Sequence, residues 1–303
     1  MSANRRSQPH RAHRVAAHDP TERTVTPGSS SLRADGITMA YDKRVIGTDL
    51  SVDIPDGQFT VIIGPNACGK STLLRSLSRL LKPSAGTVYL DGKDIHHRRA
   101  KDVATRLGLL PQSAIAPAGI TVFDLVRRGR YPHQSILSRW SAEDEDSVTR
   151  ALEATAMTDL AGRDVDELSG GQRQRAWVAM ALAQESPILL LDEPTTFLDI
   201  SYQVSLLDLF AELNRGAGRT VVAVLHDINH AARYASHLIV MHEGQIVAQG
   251  APADVITAPL LAQVFGIDAT IIEDPLNGGP LVITAHRGHN SAPVPTLERT
   301  YSA

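Results

Sequence analysis

The sequence predicts an α/β fold organised around a phosphate-binding loop, and three observations carry that expectation. Gly64 to Thr72 reads Gly-Pro-Asn-Ala-Cys-Gly-Lys-Ser-Thr, which fits G-x-x-x-x-G-K-[ST] with Gly64, Gly69, Lys70 and Ser71 in the fixed places. The β-rich apolar run Phe59 to Ile63 precedes it, and Leu73, Leu74, Leu77, Leu80 and Leu81 follow at helical spacing. A second apolar run, Ile188 to Leu191, ends in Asp192-Glu193, putting two carboxylates at the carboxyl end of a strand, where open α/β sheets place their ligands.

These residue types suit phosphate chemistry. Gly64 and Gly69 let the backbone turn tightly so that successive N–H groups converge on phosphate oxygens, and the helix starting near Lys70 adds its positive N-terminal end. Lys70 supplies a compact cation for the β- and γ-phosphates, and the Ser71 hydroxyl and Asp192 suit Mg²⁺. Glu193 can take a proton from an attacking water or orient it. On the loop motif alone the ligand is ATP or GTP, and a kinase, a GTPase, a transport motor and a repair ATPase all remain open.

Composition narrows the field. A chain of 303 residues with 43% hydrophobic and 21% charged residues can bury a sizeable core. Its formal net charge of -3 supplies no basic field for nucleic acid. Ile188 to Leu191 and Val221 to Leu225 are far shorter than the roughly 20 residues a membrane helix needs, so a membrane link is expected through a partner. Cys68 is the single cysteine, which excludes an intrachain disulfide and points to a reducing compartment. Inside the loop its thiol could be activated by the helix N-terminus, or it is a small side chain that fits.

In chain order, residues 1–31 read as a disordered basic tail without the apolar core of a secretory signal. Leu32 to Phe59 reads as short strands, with Asp56-Gly57 as a hairpin turn. Tyr41 in this stretch suits packing better than stacking on a base. Pro83 and Gly86 end the first helix; Thr87 to Leu90 and Lys93 to Ile95 form a hairpin across Asp91-Gly92. His96 to Arg99 reads as a solvated basic cluster, and Leu107 to Leu110 as a strand ending at Pro111-Gln112.

From about residue 113 to 185 the character is helical. Ser141 and Asp144 make a capping box before the apolar face Val148, Ala151, Leu152, Thr155 and Ala156. Arg127 to Gln134 is a basic loop, either a contact surface for a partner or simply solvated. Leu168-Ser169-Gly170-Gly171-Gln172, at a helix start, is a second anion nest or a helix cap. Leu206, Leu207, Leu209, Phe210 and Leu213 follow Asp199 on one helix face, His226 ends the Val221 to Leu225 strand, and Glu243-Gly244 joins a hairpin. Residues 286–303 read as a polar tail.

Together the phosphate loop, Gln112, the Leu168 to Gln172 pentapeptide, Ile188 to Glu193, Asp199 and His226 resemble, in order and spacing, the ATP-binding-cassette (ABC) ATPases from about Leu32 to Gly250. The resemblance implies a RecA-like P-loop NTPase core with a mixed sheet, an antiparallel β subdomain and an inserted α-helical signature subdomain, over residues 32–285. It implies that ATP lies on Gly64, Pro65, Asn66, Ala67, Cys68, Gly69, Lys70, Ser71 and Thr72 with Tyr41 stacked on adenine, which reverses the packing preference. Two cassettes would pair head to tail, so that Ser169, Gly170, Gly171 and Gln172 of one close on ATP held by the other, and Asp199 would communicate across the pair. Mg²⁺ would be held by Ser71, Gln112 and Asp192, and catalysis would fall to Glu193, His226, Gln112 and Lys70.

Gly129 to Gln134, Thr195 to Ile200 and Asp274-Pro275 to Ile283 look like importer ATPases for ferric siderophores, with haem and cobalamin importers as near relatives. That likeness implies a homodimer on the cytoplasmic face of a membrane permease, served indirectly by a substrate-binding protein and contacting no nucleic acid. Ala67 stands where a glycine is common in the wider family, a change tolerated if its φ is negative. A soluble cassette protein of repair or translation is the competing reading, but the long coiled coil or second cassette usual there is missing. A non-hydrolysing regulatory module is opposed by Glu193 and His226.

Overall fold

Two kinds of strand build the two larger of the three sheets among the described residues. In the computed structural model, which describes residues 30–42, 44–112, 115–134 and 140–285, β1 (Leu32–Tyr41) and β2 (Arg44–Ile54) largely alternate between buried and accessible positions. That is the pattern of an antiparallel sheet with one face on the core. β3 (Phe59–Ile63) is buried at every position, as a strand covered on both faces must be. The phosphate loop leads from β3 into α1 (Lys70–Leu77), and β4 (Ala85–Leu90) and β5 (Lys93–Asp94) complete the antiparallel sheet in the order β2-β1-β4-β5. The expected tails, 1–29 and 286–303, lie outside the described residues.

After α2 (Ala100–Ala104) and β6 (Leu107–Leu110) the chain leaves the sheet for three helices, α3 (Val122–Arg127), α4 (Ala142–Ala154) and α5 (Gly170–Ala183). It returns as β7 (Ile188–Asp192), beside β6. α6 (Ile200–Ala217), β8 (Thr220–Val224), α7 (Ile228–Tyr234), β9 (His237–His242) and β10 (Gln245–Gly250) follow. The second sheet runs β10-β9-β3-β8-β7-β6, parallel except for β10. Finally come α8 (Pro252–Val255), α9 (Ala258–Phe265) and the hairpin β11 (Ala269–Glu273) with β12 (Pro280–Thr284).

Strand periodicity then sorts the core into two halves. Phe59, Val61, Ile63, Leu189, Leu191, Val221 and Ala223 face the helices α3 to α7. Their neighbours Ile62, Ile188, Leu190, Val222 and Val224 face α1 and the antiparallel sheet. The parallel strands are therefore held rigidly from both sides, and their carboxyl ends emerge along one edge.

Several local expectations are corrected. Asp56-Gly57 closes no hairpin, because β2 and β3 belong to different sheets; the Asp56 carboxylate instead accepts from Ser31 N and Ser31 Oγ, both at 2.9 Å. α1 stops at Leu77, well before Pro83: Arg79 adopts φ +70° and turns the chain, leaving Leu80 65% exposed. Gly86 belongs to β4. α4 carries the expected capping box but ends at Ala154, with Ala156 beyond it at φ +51°. His96 turns partly inward, where burial pushes its imidazole pKa down, and Arg98 is tied to Leu90 O and Asp91.

Arg127 to Gln134 is an open basic loop only in part, with Arg128 and His133 exposed and Arg130 turned inward. Arg130 is only 3% exposed; it donates to Asp144 at 2.9 Å, to Glu185 at 2.8 Å and to the Ala183 carbonyl at 2.9 Å. It thereby joins the α3 end to the start of α4 and the end of α5. Gly129 sits so close to α5 that a Cβ there would lie 2.3 Å from Met180 O. In this stretch Tyr131 is the exposed large hydrophobic side chain, beside the exposed Arg128 and His133.

Candidate active site

Four loops follow parallel strands at the same sheet edge, and they bring most of the expected residues together. Gly64 to Gly69 follows β3, Gln112 follows β6, Glu193 follows β7 and His226 follows β8. A cleft of about 370 Å³ opens there, lined by Tyr41, Asn66, Ala67, Gly69, Lys70, Ser71, Thr72, Glu193 and His226, together with Arg44 and Ile46.

The loop is shaped by contacts from outside it. Gly64 has φ +154°, and a Cβ there would meet Met241 O of β9 at 2.1 Å. The β9–β10 turn props the loop from beneath, with Gly244 N donating to Cys68 O at 3.1 Å. A Cβ on Gly244 would lie 2.0 Å from Ile46 O, so this turn requires glycine. Gly69, at φ +107°, is the N-cap of α1 and has no side chain to cap the helix, so the first N–H groups of α1 stay open towards the cleft. Ala67 does not have the negative φ that would make alanine comfortable; it stands at +60°, a strain of about 1 kcal/mol for a residue with a Cβ.

Lys70, 5% exposed, folds back so that Nζ donates to Gly64 O at 2.9 Å and Pro65 O at 2.7 Å. Ser71 Oγ donates to Asp192 Oδ1 at 2.7 Å. Burial pushes the Asp192 carboxyl up; the Ser71 hydrogen bond opposes this, and the charge of Glu193 reinforces it. Hydroxyl and carboxylate oxygens side by side, with a loop for phosphates adjoining, are the hard donors that Mg²⁺ takes, usually with its remaining positions filled by water and phosphate oxygens. Cys68 is buried, and burial pushes its thiol up against the opposing Lys70 charge, so the activated thiol is overturned in favour of a small side chain that fits.

Glu193 is the best-held group in the cleft. Its Oε2 accepts from Gln112 Nε2 and its Oε1 lies beside His226 Nε2, each at 2.7 Å, with Thr196 Oγ1 at 3.4 Å. Its backbone sits at φ +53°, a left-handed conformation unusual for glutamate and the kind of local strain that collects at functional sites. Two donors on one carboxylate fix where its lone pairs point, as a group receiving a proton from a positioned water requires. Tyr41 stands at the rim, 39% exposed, its OH accepting from Arg75 at 3.3 Å.

Ser169 to Gln172 are not among the cleft residues. Ser169 is the N-cap of α5 and forms a reciprocal box with Gln172: Gln172 N donates to Ser169 Oγ at 3.3 Å, and Ser169 N donates to Gln172 Oε1 at 3.0 Å. The nest and the cap are thus one structure. Asp199 caps α6, accepting from Tyr202 N at 3.0 Å. Sequence reasoning missed Arg44 and Ile46 at the cleft, Thr196 against Glu193 and Gly244 beneath the phosphate loop. Of these, Gly244 alone left a signal, as the glycine of a hairpin turn.

Comparison with known proteins gives the chain's relatives. A family described as ABC transporter matches residues 48–196. The chain is 57% identical over 263 residues to the ferric enterobactin transport ATP-binding protein FepC of Escherichia coli (strain K12), covering 87% of this chain and 97% of that one. It is 52% identical to the probable siderophore transport system ATP-binding protein YusV of Bacillus subtilis (strain 168), covering 86% and 95%. Among solved structures, the dimeric MJ0796, a bacterial ABC transporter cassette, superposes with a TM-score of 0.67 at 27% identity, over 73% of this chain and 98% of that one.

Proposed function

This chain belongs to the ABC transporter family, and from that premise we propose that it is the ATP-hydrolysing subunit that energises uptake of an iron(III)-siderophore complex through a membrane permease. One observation carries the chemistry: Glu193 is gripped between Gln112 and His226 at the mouth of the phosphate-loop cleft. The names of the FepC and YusV relatives support the cargo class.

In this reading the triphosphate draws Lys70 Nζ away from the Gly64 and Pro65 carbonyls, and the open N–H groups of α1 bind its oxygens. Tyr41 takes the adenine. Ser71 and Asp192, with Gln112, would hold Mg²⁺, which when bound supplies charge neutralisation for the phosphates. Glu193 orients a water and accepts its proton as the water oxygen attacks the γ-phosphorus and ADP leaves, while His226 steadies the γ-phosphate.

The second half of each site comes from a second copy. In α5 the N–H groups of Gly170 and Gly171 have no partner within the helix. The Ser169 hydroxyl, while accepting from Gln172 N, keeps its own proton free to donate. Both suit a γ-phosphate presented by the partner subunit, and the dimeric relative supports such pairing. Closure on two ATP molecules pulls on the permease, and hydrolysis reopens the pair. No helix among the described residues is long and apolar enough to cross a membrane, which fits a peripheral subunit docked on the cytoplasmic face of the permease, with a substrate-binding protein delivering cargo from the other side.

The test is uptake of a labelled iron chelate in cells lacking this protein. Wild type should restore uptake and Lys70→Ala should not. Full uptake with Lys70→Ala, or none with wild type produced beside an intact permease, would contradict the proposal.

A further inference from the structure

We infer that the C-terminal hairpin β11–β12 sets where His226 stands, with Asn229, Arg233 and Asp274 as positioning residues that act through α7. The His226 ring is 47% exposed and reaches Glu193 Oε1 at 2.7 Å, so its place is set by its backbone, anchored on one side by β8 through Leu225 N to Ile62 O and on the other by the helix that follows. That helix, α7, has seven residues and is capped by Asp227, which accepts from His230 N at 2.7 Å. A helix this short has little stability of its own, because nucleation is costly and few hydrogen bonds follow it. Tertiary contacts must therefore seat it.

The hairpin supplies them at both ends. Near the start of α7, Asn229 Nδ2 donates to Val282 O at 3.1 Å and Asn229 Oδ1 accepts from Val282 N at 2.8 Å, so one side-chain amide pairs with β12 as a neighbouring strand would. At the far end Arg233 donates through two nitrogens to Asp274 Oδ2, at 3.2 and 2.8 Å, and Asn277 Nδ2 donates to Arg233 O at 3.5 Å. Asp274 is itself fixed by the hairpin turn: it accepts from Leu276 N at 3.0 Å, its side chain only 6% exposed. That hydrogen bond and then the Arg233 guanidinium hold its carboxyl below the usual carboxylate range. At about 1.5 Å per residue, Arg233 lies roughly 10 Å along the helix direction from His226. Releasing the hairpin would let α7 shift by the ångström that separates a made hydrogen bond from a lost one.

The inference rests on the reading of His226 as a γ-phosphate contact, and the two can fail separately. Asn229→Ala and Asp274→Asn, made in the full chain, should lower kcat for ATP by tenfold to about a hundredfold while KM stays within about twofold. Both should also move the His226 ring signal in the NMR spectrum, assigned by its disappearance in His226→Gln. Should Asp274→Asn fail to fold, Asn229→Ala, which removes a single amide pair, reads the same quantities. An unmoved His226 signal with wild-type kcat in a folded variant would overturn the inference. Wild-type turnover in His226→Gln would instead overturn the catalytic reading, leaving the ring signal as the measure of positioning.

Discussion

Two glycine-rich loops begin helices in this protein, and they arrive at opposite states. At α1 the N-cap is Gly69, which has no side chain to offer, and the helix N-terminus stays open towards a cleft. At α5 the N-cap is Ser169, whose box with Gln172 closes on itself outside that cleft. Neither helix has an acidic residue in its first turn, so both keep a positive end for an anion. The difference lies in what surrounds them. The α1 loop is moulded by β9 and the β9–β10 turn of its own chain, with Lys70 waiting inside it. The α5 start lies outside the nucleotide cleft of its own chain, and in the proposed dimer it would serve a phosphate brought by another copy.

If α5 is held by its far end, breaking that seat should have the largest effect. Arg130→Ala would leave the buried Asp144 carboxylate short of its cation and should cost about 3–5 kcal/mol, measured by denaturant unfolding. Burial pushes Asp144 up, but hydrogen bonds from Arg130 and from the Ser141 backbone and side chain outweigh it and hold the carboxyl below its usual range. A depressed folded pKa contributes stability that is present above the unfolded pKa, near about 4, and is lost as the pH falls through the folded value. Acid titration of stability should therefore be steep in the wild type and flatter in Asp144→Asn.

A smaller effect should come from the cap itself. Ser169→Ala should cost about 1 kcal/mol of stability and leave nucleotide binding to the isolated chain unchanged, since Ser169 lies outside the cleft. Weakened ATP binding to the monomer would mean that the two helix starts share one site within a chain. The smallest effect is expected at Ala67→Gly, which relieves the φ +60° conformation but adds freedom to the unfolded chain. A gain of roughly 0.5 kcal/mol in unfolding free energy is the net expectation.

What sequence could read was set by distance along the chain. The phosphate loop, the strand-end Asp192-Glu193, the Ser141–Asp144 box and the Glu243-Gly244 turn each declare themselves within ten residues, and each stands where expected. Arg130 did not: nothing near it in sequence reveals Glu185, 55 positions on, so a structural tie read as a basic loop. The same blindness hid Gly244 beneath the loop and the sign of φ at Ala67. Asp56-Gly57 had the chemistry of a hairpin, but the strands on either side belong to different sheets, a tertiary decision that turn chemistry does not contain.

Size-exclusion chromatography of Glu193→Gln with ATP and Mg²⁺, with bound nucleotide quantified, tests most directly whether the open helix start of one copy and the capped one of another enclose a single ATP. The expected result is a dimer holding two ATP molecules, which Ser169→Arg in the same chain converts to a monomer that still binds ATP. Monomeric Glu193→Gln with ATP bound, or a double variant that dimerises as before, would contradict it.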